Sequence, residues 1–378
     1  MSFRRLIGKI LLLLIMLLVL VSGLTIFGCT RTGAIAKGWS GAIITDGAVF
    51  LGSMEGKLVA IDEATQNRLW PDVPFEASKQ TGGLISCAQA PTSVAIYGTP
   101  AVSAGLVYIA GYNGKVYAIN AQSGAMRWVY PREGEMEPVV GGPLVAFDKV
   151  FIGSSDGTFC ALDAATGDKE WQFEAGGKIW STPSVNGQTV YIGSFDRKLY
   201  ALNAADGSQK WAFETKGAVV ATPLVHDSMI YVGSFDRHLY ALNAADGSLQ
   251  WKFLAGNWFW ARPLAYNGVI YAGSVDGKVY ALKAETGDKL AEFDLESPVV
   301  SSPVLVDGLI IAATEAGKVY ALNPVDNQQK QLADLEEKIQ APLSASNGVV
   351  YIHSEKDILY AVDARSGATL WSLSLKSE

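Results

Sequence analysis

Beyond residue 40, apolar residues occur in short runs that polar turn residues interrupt every few positions. One stretch shows the pattern with runs at 222–225, 229–233, 238–242 and 249–253, separated by steps such as Asp236-Arg237 and Asp246-Gly247. The runs are rich in β-branched and aromatic residues, and they are too short and too often broken for helices. The pattern therefore predicts four short β-strands joined by tight turns.

The four-run pattern repeats along the chain. Gly193-Ser-Phe-Asp-Arg197 returns as Gly233-Ser-Phe-Asp-Arg237, one period of 40 residues later. One proline per period marks the first run, namely Pro100, Pro143, Pro183, Pro223, Pro263, Pro303 and, after 39 residues, Pro342. With a degenerate first unit from Gly41 to Trp70, the chain contains eight units.

Eight such units predict an all-β fold, an eight-bladed β-propeller of four-stranded antiparallel blades over residues 41–375. The second and third runs are almost wholly apolar, as expected for sheets that neighbouring blades cover on both faces. The proline fits an innermost edge strand, where no ladder hydrogen bond is lost. Residues 71–98 form an insertion, interpreted either as a surface loop or as the outer strand of the first blade with a long exit.

The first 29 residues predict export. Arg4, Arg5 and Lys9 precede an apolar run from residue 10 to residue 27, which is the pattern of a signal sequence. Ile26-Phe-Gly-Cys29 resembles a bacterial lipobox, which implies lipidation of Cys29. The alternative is an uncleaved signal anchor. Both interpretations place the protein outside the cytoplasm and anchored to a membrane, with residues 30–40 as a linker.

Charge and composition exclude some functions. A net charge of −7 and a pI near 5.2 argue against nucleic acid as a partner. The three histidines lack the spacing of metal ligands, so no metal site is predicted. Export would permit a disulfide between Cys87 and Cys160, although Cys160 stands where other units have a core tyrosine, which favours a buried thiol.

The repeat resembles the PQQ-like (quinoprotein-type) propeller repeat. The residues that carry the resemblance are Tyr-Ala-Leu-Asn-Ala-Ala-Asp-Gly-Ser-x-x-Trp at 200–211 and 240–251. It implies a docking tryptophan that packs each blade on the next, at Trp70, Trp128, Trp171, Trp211, Trp251 and Trp371. Ala291 and Gln331 replace it in units six and seven, where weaker or different packing is expected.

The same resemblance covers both an enzyme and a binding protein. PQQ-dependent alcohol dehydrogenases carry a vicinal cysteine pair, a calcium ion and an aspartate base, but this chain has no Cys-Cys dipeptide. We therefore predict no catalytic residue and no cofactor, with a PQQ- and calcium-dependent dehydrogenase as the alternative. The chain more closely resembles the BamB outer-membrane assembly factor family, which implies a non-catalytic protein-binding scaffold. A sensor or a carbohydrate-binding propeller is a further alternative.

One end of the propeller is the predicted binding face. Strand topology places the segment before each first strand and each second-to-third-strand turn on the same end. Three positions before the repeating proline stand Trp39, Tyr97, Val140, Trp180, Val220, Trp260, Val300 and Ile339. Aromatic and arginine residues are enriched in binding hot spots.

The predicted face for a protein or peptide partner comprises Trp39, Tyr97, Trp180, Phe195, Arg197, Phe235, Arg237, Trp258, Phe259, Trp260 and Arg262. The alternative is that these aromatic side chains only pack between the blade tops. For Arg262, a channel-lining role and a salt bridge to a neighbouring acid are both open.

Overall fold

The computed structural model describes residues 38–75 and 94–376, all within one compact unit of residues 36–78 and 93–378. These residues form eight antiparallel sheets, each of four strands in consecutive order. The predicted eight-bladed all-β propeller is thereby confirmed. The part of the chain that the structure describes contains no helix able to span a bilayer.

The strands are short and regular, and every blade consists of four consecutive strands. In blades 1 and 2 they are β1 (Ile43–Thr45), β2 (Ala48–Gly52), β3 (Lys57–Asp62), β4 (Val73–Pro74), β5 (Ala101–Ser103), β6 (Leu106–Gly111), β7 (Lys115–Asn120) and β8 (Met126–Tyr130). In blades 3 and 4 they are β9 (Leu144–Ala146), β10 (Lys149–Gly153), β11 (Thr158–Asp163), β12 (Lys169–Glu174), β13 (Ser184–Asn186), β14 (Thr189–Gly193), β15 (Lys198–Asn203) and β16 (Gln209–Glu214).

The second half of the ring follows the same scheme. In blades 5 and 6 the strands are β17 (Leu224–His226), β18 (Met229–Gly233), β19 (His238–Asn243), β20 (Leu249–Leu254), β21 (Leu264–Tyr266), β22 (Val269–Gly273), β23 (Lys278–Lys283) and β24 (Lys289–Asp294). In blades 7 and 8 they are β25 (Val304–Val306), β26 (Leu309–Ala313), β27 (Lys318–Leu322), β28 (Gln329–Asp334), β29 (Ser344–Ser346), β30 (Val349–His353), β31 (Ile358–Asp363) and β32 (Thr369–Ser374).

The core lies between the blades. Second and third strands are buried on both faces, whereas the fourth strands are largely exposed, as in the alternating pattern of β16. One cluster joins Leu199 and Ala201 of blade 4 to Ile230, Val232 and Leu242 of blade 5. Each sheet therefore supplies one face to each of two neighbouring cores, and this explains the nearly continuous apolar runs.

The docking tryptophans bond to the next blade around the ring. The indole Nε1–H groups of Trp70, Trp128, Trp171, Trp211 and Trp251 donate to the carbonyl oxygens of Ala121, Ala164, Ala204, Ala244 and Ala284 at 2.9–3.3 Å. The turn glycine of the next blade lies beneath each indole. A Cβ on Gly247, for example, would lie 2.6 Å from the Trp211 ring. Glycine is therefore required there by the tryptophan as well as by its positive φ of 73°.

Three of the interfaces between neighbouring blades, here called seams, depart from this pattern. Ala291 pairs directly with Ala281 in blade 6, and the facing turn of blade 7 has Asn327 in place of glycine. The ladder around Gln331 is shifted by a bulge between Val319 and Tyr320. Trp371 packs against the core of blades 8 and 1 without an indole hydrogen bond among the described residues.

The structure corrects the position assigned to Pro342 in the repeat. The repeat count treats it as the blade proline of unit eight, but the first strand there begins at Ser344, as β13 begins at Ser184. Pro342 therefore stands in the position of Thr182, and Leu343 stands in that of Pro183. The blade repeat itself remains 40 residues, from Val304 to Ser344, so the 39-residue proline spacing shows that only the proline has moved by one place.

Several predictions lie outside the described residues. These are the signal sequence or anchor of residues 1–29 with Cys29, most of the 30–40 linker, and Cys87. Of the 71–98 insertion, residues 76–93 lie outside as well. Its first residues are described, and Val73–Pro74 forms the outer strand of blade 1.

Candidate binding face and axial channel

Backbone hydrogen bonds join the two kinds of loop that form the predicted face. Phe195 N–H donates to Lys178 O, and Phe235 N–H donates to Ala218 O, both at 2.9 Å. The same bond runs from Tyr112 to Ala95 and from Val275 to Trp258. The segment before each first strand thus lies beside the second-to-third-strand turn of its own blade, as the topology predicts.

One residue per blade lines the mouth of the axial channel at this end. These residues are Trp39, Tyr97, Val140, Trp180, Val220, Trp260, Val300 and Gln340. Seven of the eight match the sequence pattern. Ile339 is wrong because of the register shift at Pro342: it is fully buried, and Gln340 takes its place at the mouth.

The aromatic side chains of blades 4 to 6 form one continuous patch, here called the aromatic arc (Trp180, Phe195, Phe235, Trp258 and Trp260). Trp180 meets Phe195 edge to face with ring centroids 4.7 Å apart. Phe195 lies 6.2 Å from Phe235, which stacks on Trp258 at 4.6 Å and on Trp260 at 5.6 Å. Trp258 is 43% exposed, and the other four side chains of the arc are partly exposed.

A second, smaller cluster lies over blades 1 and 2. Trp39 and Tyr97 meet edge to face at 4.4 Å, and Tyr97 lies 5.6 Å from Tyr112. Burial, with a smaller contribution from Tyr112, raises the pKa of Tyr97. Tyr112 was not among the predicted residues, although it occupies the turn position of Phe195 and Phe235. Tyr112 follows Pro100 by 12 residues, as Phe195 follows Pro183, so the repeat could have identified it.

Phe259 does not belong to the face, and its prediction was wrong. It is 1% exposed and packs in the core of blades 5 and 6, 6.2 Å from Tyr280. The residue before each mouth position points into the core, as Ile179, Val219 and Val299 show with no exposure. Alternation along an extended segment sends neighbouring side chains to opposite sides, so Trp258 and Trp260 face outward while Phe259 faces inward.

Two of the predicted arginines are on the surface at the edge of the arc. Arg197 and Arg237 are exposed turn residues with φ of 74° and 72°. Arg197 pairs with Glu214 at 2.9 Å, where both side chains are 55% exposed, so this pair adds little stability. Their charges border the aromatic surface, as arginines do at protein interfaces.

Arg262 lines the axial channel. Six residues line both the cavity at the mouth and the cavity beneath it, and we call them the channel ring: Thr99, Thr182, Thr222, Arg262, Ser302 and Pro342. The volumes of the two cavities are about 90 Å³ and about 460 Å³. Of the two roles considered for Arg262, the structure shows the channel-lining one, because the residue lines both cavities and makes no ion pair among the described residues. Its side chain is exposed within the channel, yet the surrounding wall partly desolvates the guanidinium and lowers its pKa.

The channel does not fit the calcium and quinone site of the dehydrogenases. Arg262 is the one charged residue among the described residues that line either cavity. Calcium needs six to eight oxygen ligands, usually including carboxylates. Within residues 38–75 and 94–376, no three His, Cys, Asp or Glu side chains are placed to hold a metal ion. Cys160 is a buried thiol in blade 3, and burial raises its pKa to about 11.

Comparison with known proteins assigns the fold to a family. The family model described as "Beta-alanine-activating enzyme, beta-propeller" matches residues 142–378, more than half of the chain. The chain belongs to this propeller family. A second model, described as "Outer membrane protein assembly factor BamB", matches residues 55–184. A search among curated proteins gave no match.

Solved structures share the architecture at low sequence identity. BamB from Moraxella catarrhalis superimposes with a TM-score of 0.68 at 22% identity, covering 84% of this chain and 91% of that one. The computationally designed Ika8 protein gives a TM-score of 0.70 at 14% identity, covering 85% and 94%. In total 1703 solved chains match, so the fold alone does not assign a function. The chain is a PQQ-like propeller that resembles BamB.

Proposed function

We propose that this chain is a non-catalytic scaffold, tethered to a membrane outside the cytoplasm, that binds a protein partner through the aromatic arc. The observation that carries the proposal is the arc itself. Five aromatic side chains from three blades form one surface, and Trp258 at its outer edge is 43% exposed. Contiguous exposed aromatic surface on a rigid fold is typical of protein interaction sites.

The matches to BamB support a protein as the partner. The second family model names an assembly factor for outer-membrane proteins, and the solved BamB structure shares most of this fold. We propose an extended segment with aromatic or aliphatic side chains at alternate positions, because the arc is continuous across blades 4 to 6. Arg197 and Arg237 at its edge would favour a partner with acidic residues beside the apolar ones.

The proposal that the chain is not an enzyme rests on the channel. The description of its family names an enzyme, yet the channel of this propeller is lined by hydroxyl, aliphatic and aromatic groups with one arginine. General acid–base chemistry needs a titratable group that can donate or accept a proton near neutral pH. Arginine keeps its proton there, so no described residue of the channel is suited to that work.

Peptide binding by matched variants tests the proposed partner site. We would measure fluorescence anisotropy of labelled peptides with alternating apolar and acidic residues against the full chain in a non-ionic detergent. Trp258→Ala is expected to weaken binding about tenfold or more, as loss of an interface tryptophan often does. The control is Val325→Ala, because Val325 is 90% exposed in the third-to-fourth-strand turn of blade 7, away from the arc. Equal affinities for both variants and the unchanged protein would refute the proposed site.

The proposed membrane tether has a separate test. Cys29 follows the apolar run of residues 10–27, and a lipid on its thiol would hold the propeller at the membrane. Metabolic labelling with a fatty acid should mark the protein and should fail for Cys29→Ser. Loss of the label with retained membrane association would indicate the uncleaved anchor instead. A protein that is unlabelled and recovered in the soluble fraction would contradict the tether.

A further inference from the structure

The channel ring brings one positive charge together with several hydroxyl groups. Thr99, Thr182, Thr222 and Ser302 supply four hydroxyls, and Arg262 supplies the guanidinium. Each ring position belongs to a different blade, and Arg262 of blade 6 stands opposite Thr99 of blade 2. At this position the neighbouring blades have threonine or serine, so the repeat itself does not explain an arginine.

The hydroxyls have protons available for a ligand. Ser302 Oγ accepts the backbone N–H of Arg262 at 3.1 Å, and Thr182 Oγ1 accepts the N–H of Gly142 at 2.8 Å. Neither hydroxyl donates a hydrogen bond among the described residues. A hydroxyl has one proton to donate and two lone pairs to accept with, so each of these hydroxyls can still donate its proton to a ligand.

The charge of Arg262 is not neutralised by the protein. No acidic side chain lines either cavity among the described residues, and none forms an ion pair with Arg262. A cation surrounded by protein loses part of its hydration, and an oppositely charged ligand offsets that loss. A planar guanidinium with several N–H donors matches a carboxylate or a phosphate in particular.

We propose that the channel ring is a binding site for an oxyanion, a carboxylate or a phosphate, held by Arg262 and the surrounding threonine and serine hydroxyls. The cavity at the mouth has a volume of about 90 Å³, which is enough for such a group because one water needs only ~10–15 Å³. The oxyanion comes either from a small free molecule or from a carboxylate of a protein partner seated on the face above. No residue of the channel ring belongs to the aromatic arc, so anion binding and partner binding can be tested by separate variants.

A matched substitution tests the site without removing a core residue. Arg262→Thr gives blade 6 the residue of Thr182 and Thr222, while Arg262→Lys keeps the charge but loses the planar fork. The full chain, purified in a non-ionic detergent, is titrated with inorganic phosphate and separately with succinate at constant ionic strength in sodium chloride. Calorimetry reports binding, and thermal unfolding reports the linked stabilisation.

The unchanged protein should bind phosphate, succinate or a peptide with a free carboxylate saturably, and Arg262→Thr should weaken that binding about tenfold or more. Arg262→Lys should give an intermediate affinity. Without probe, Arg262→Thr should unfold at the same temperature as the unchanged protein or higher, because it removes a poorly hydrated charge. That result would show that lost binding is not caused by lost folding.

A peptide pair separates the two sources of the oxyanion. Gly-Gly-Phe with a free carboxylate and the same peptide amidated are titrated against the same variants. Binding of phosphate or succinate points to a free small anion. Binding of the free peptide alone, lost in Arg262→Thr and in the amidated peptide, points to a partner's carboxylate. If no probe binds saturably, or if Arg262→Thr binds as well as the unchanged protein, the proposal is overturned.

Discussion

Blades 5 and 6 are joined by neutral contacts, whereas blades 8 and 1, which close the ring, are joined by charged ones. Between blades 5 and 6, Tyr231 OH and Trp251 Nε1–H both donate to Ala284 O, at 3.1 Å and 2.9 Å. Gly287 leaves room for the indole, since a Cβ there would lie 2.6 Å from its ring. The same arrangement recurs with Tyr191, Trp211 and the carbonyl of Ala244.

The seam between blades 8 and 1, here called the closing seam, uses other groups. Tyr351 OH donates to the Glu63 carboxylate at 2.5 Å instead of to a carbonyl. His353 Nδ1 lies 2.9 Å from Ser40 O, and its Nε2 lies 2.9 Å from Asp357 Oδ1. Asp357 Oδ1 also accepts the Met54 N–H at 3.0 Å, while its Oδ2 is buried with no hydrogen-bond partner among the described residues.

The ring is closed at the junction of blade 8 with blade 1. Every blade consists of consecutive strands, so no sheet combines strands from both ends of the described chain. The closing seam must therefore be joined by side chains and by the contact of β1 with β29. Buried charged groups cost desolvation, and their best-supported advantage is specificity rather than stability. We infer that the charged set specifies blade 1 as the neighbour of blade 8, where the repeated neutral seam would fit several blades.

The largest effect is expected from a docking tryptophan of a neutral seam. Trp251→Ala removes a buried indole that is 8% exposed, together with its bond to Ala284 O, and should lower the free energy of unfolding by about 4 kcal/mol. Trp371→Ala at the closing seam should cost less, because Trp371 is only partly buried and makes no indole hydrogen bond among the described residues. Urea unfolding of both variants measures the difference. Equal losses of unfolding free energy would show that tryptophan stabilises the two seams to the same extent.

The second largest effect is expected from the buried pair of His353 and Asp357 at the closing seam. His353→Ala removes the imidazole beside Asp357 and leaves the Met54 N–H as the partner of its carboxylate, so the buried charge loses most of its compensation. The variant should cost about 3 kcal/mol in unfolding free energy. Blade 7 has Ala313 and Gly317 at these two positions, the same pair that the double variant would carry. The double variant with Asp357→Gly should therefore regain part of the loss. A double variant that is less stable than His353→Ala would contradict this account of the seam.

The sequence was sufficient for the fold because the repeat is strong. Prolines 40 residues apart, turn glycines and paired apolar runs all agreed on four strands per blade, and the tryptophan slots lie where the blades meet. The face was predicted less completely. Counting back from a proline failed at Pro342, which stands one place before the blade-proline position, and it identified Ile339 instead of Gln340.

Two features of the site could not be predicted from the sequence. Phe259 stands between two surface tryptophans, and only the alternation of an extended segment shows that it faces the core. The channel ring unites residues from six blades, so its single charge among neutral groups emerges only when the blades are arranged around an axis. The closing seam was missed for the same reason, because Ser40 and His353 are far apart in sequence.

The smallest expected effect is the pH dependence of stability that arises from the seam tyrosines, Tyr231 and Tyr351. Burial, with a contribution from Asp227, raises the pKa of Tyr231 to about 12, from about 10 in an unfolded chain. From pH 10 upward the unfolded chain releases this proton while the folded protein keeps it, so stability falls as the pH rises from 10 through 12. Tyr351 is shifted in the same direction, first by burial and then by its hydrogen bond to Glu63.

Tyr231→Phe removes one neutral hydrogen bond and should cost about 1 kcal/mol at pH 7. Tyr351→Phe should cost more there, because a bond to a carboxylate is stronger than one to a carbonyl. Both variants should lose less stability than the unchanged protein between pH 9 and pH 11, since each lacks a proton that the folded state retains. Urea midpoints across that range measure it. An alkaline slope identical to that of the unchanged protein would mean that these hydroxyls titrate alike in the folded and unfolded states, and the seams would then differ at neutral pH alone.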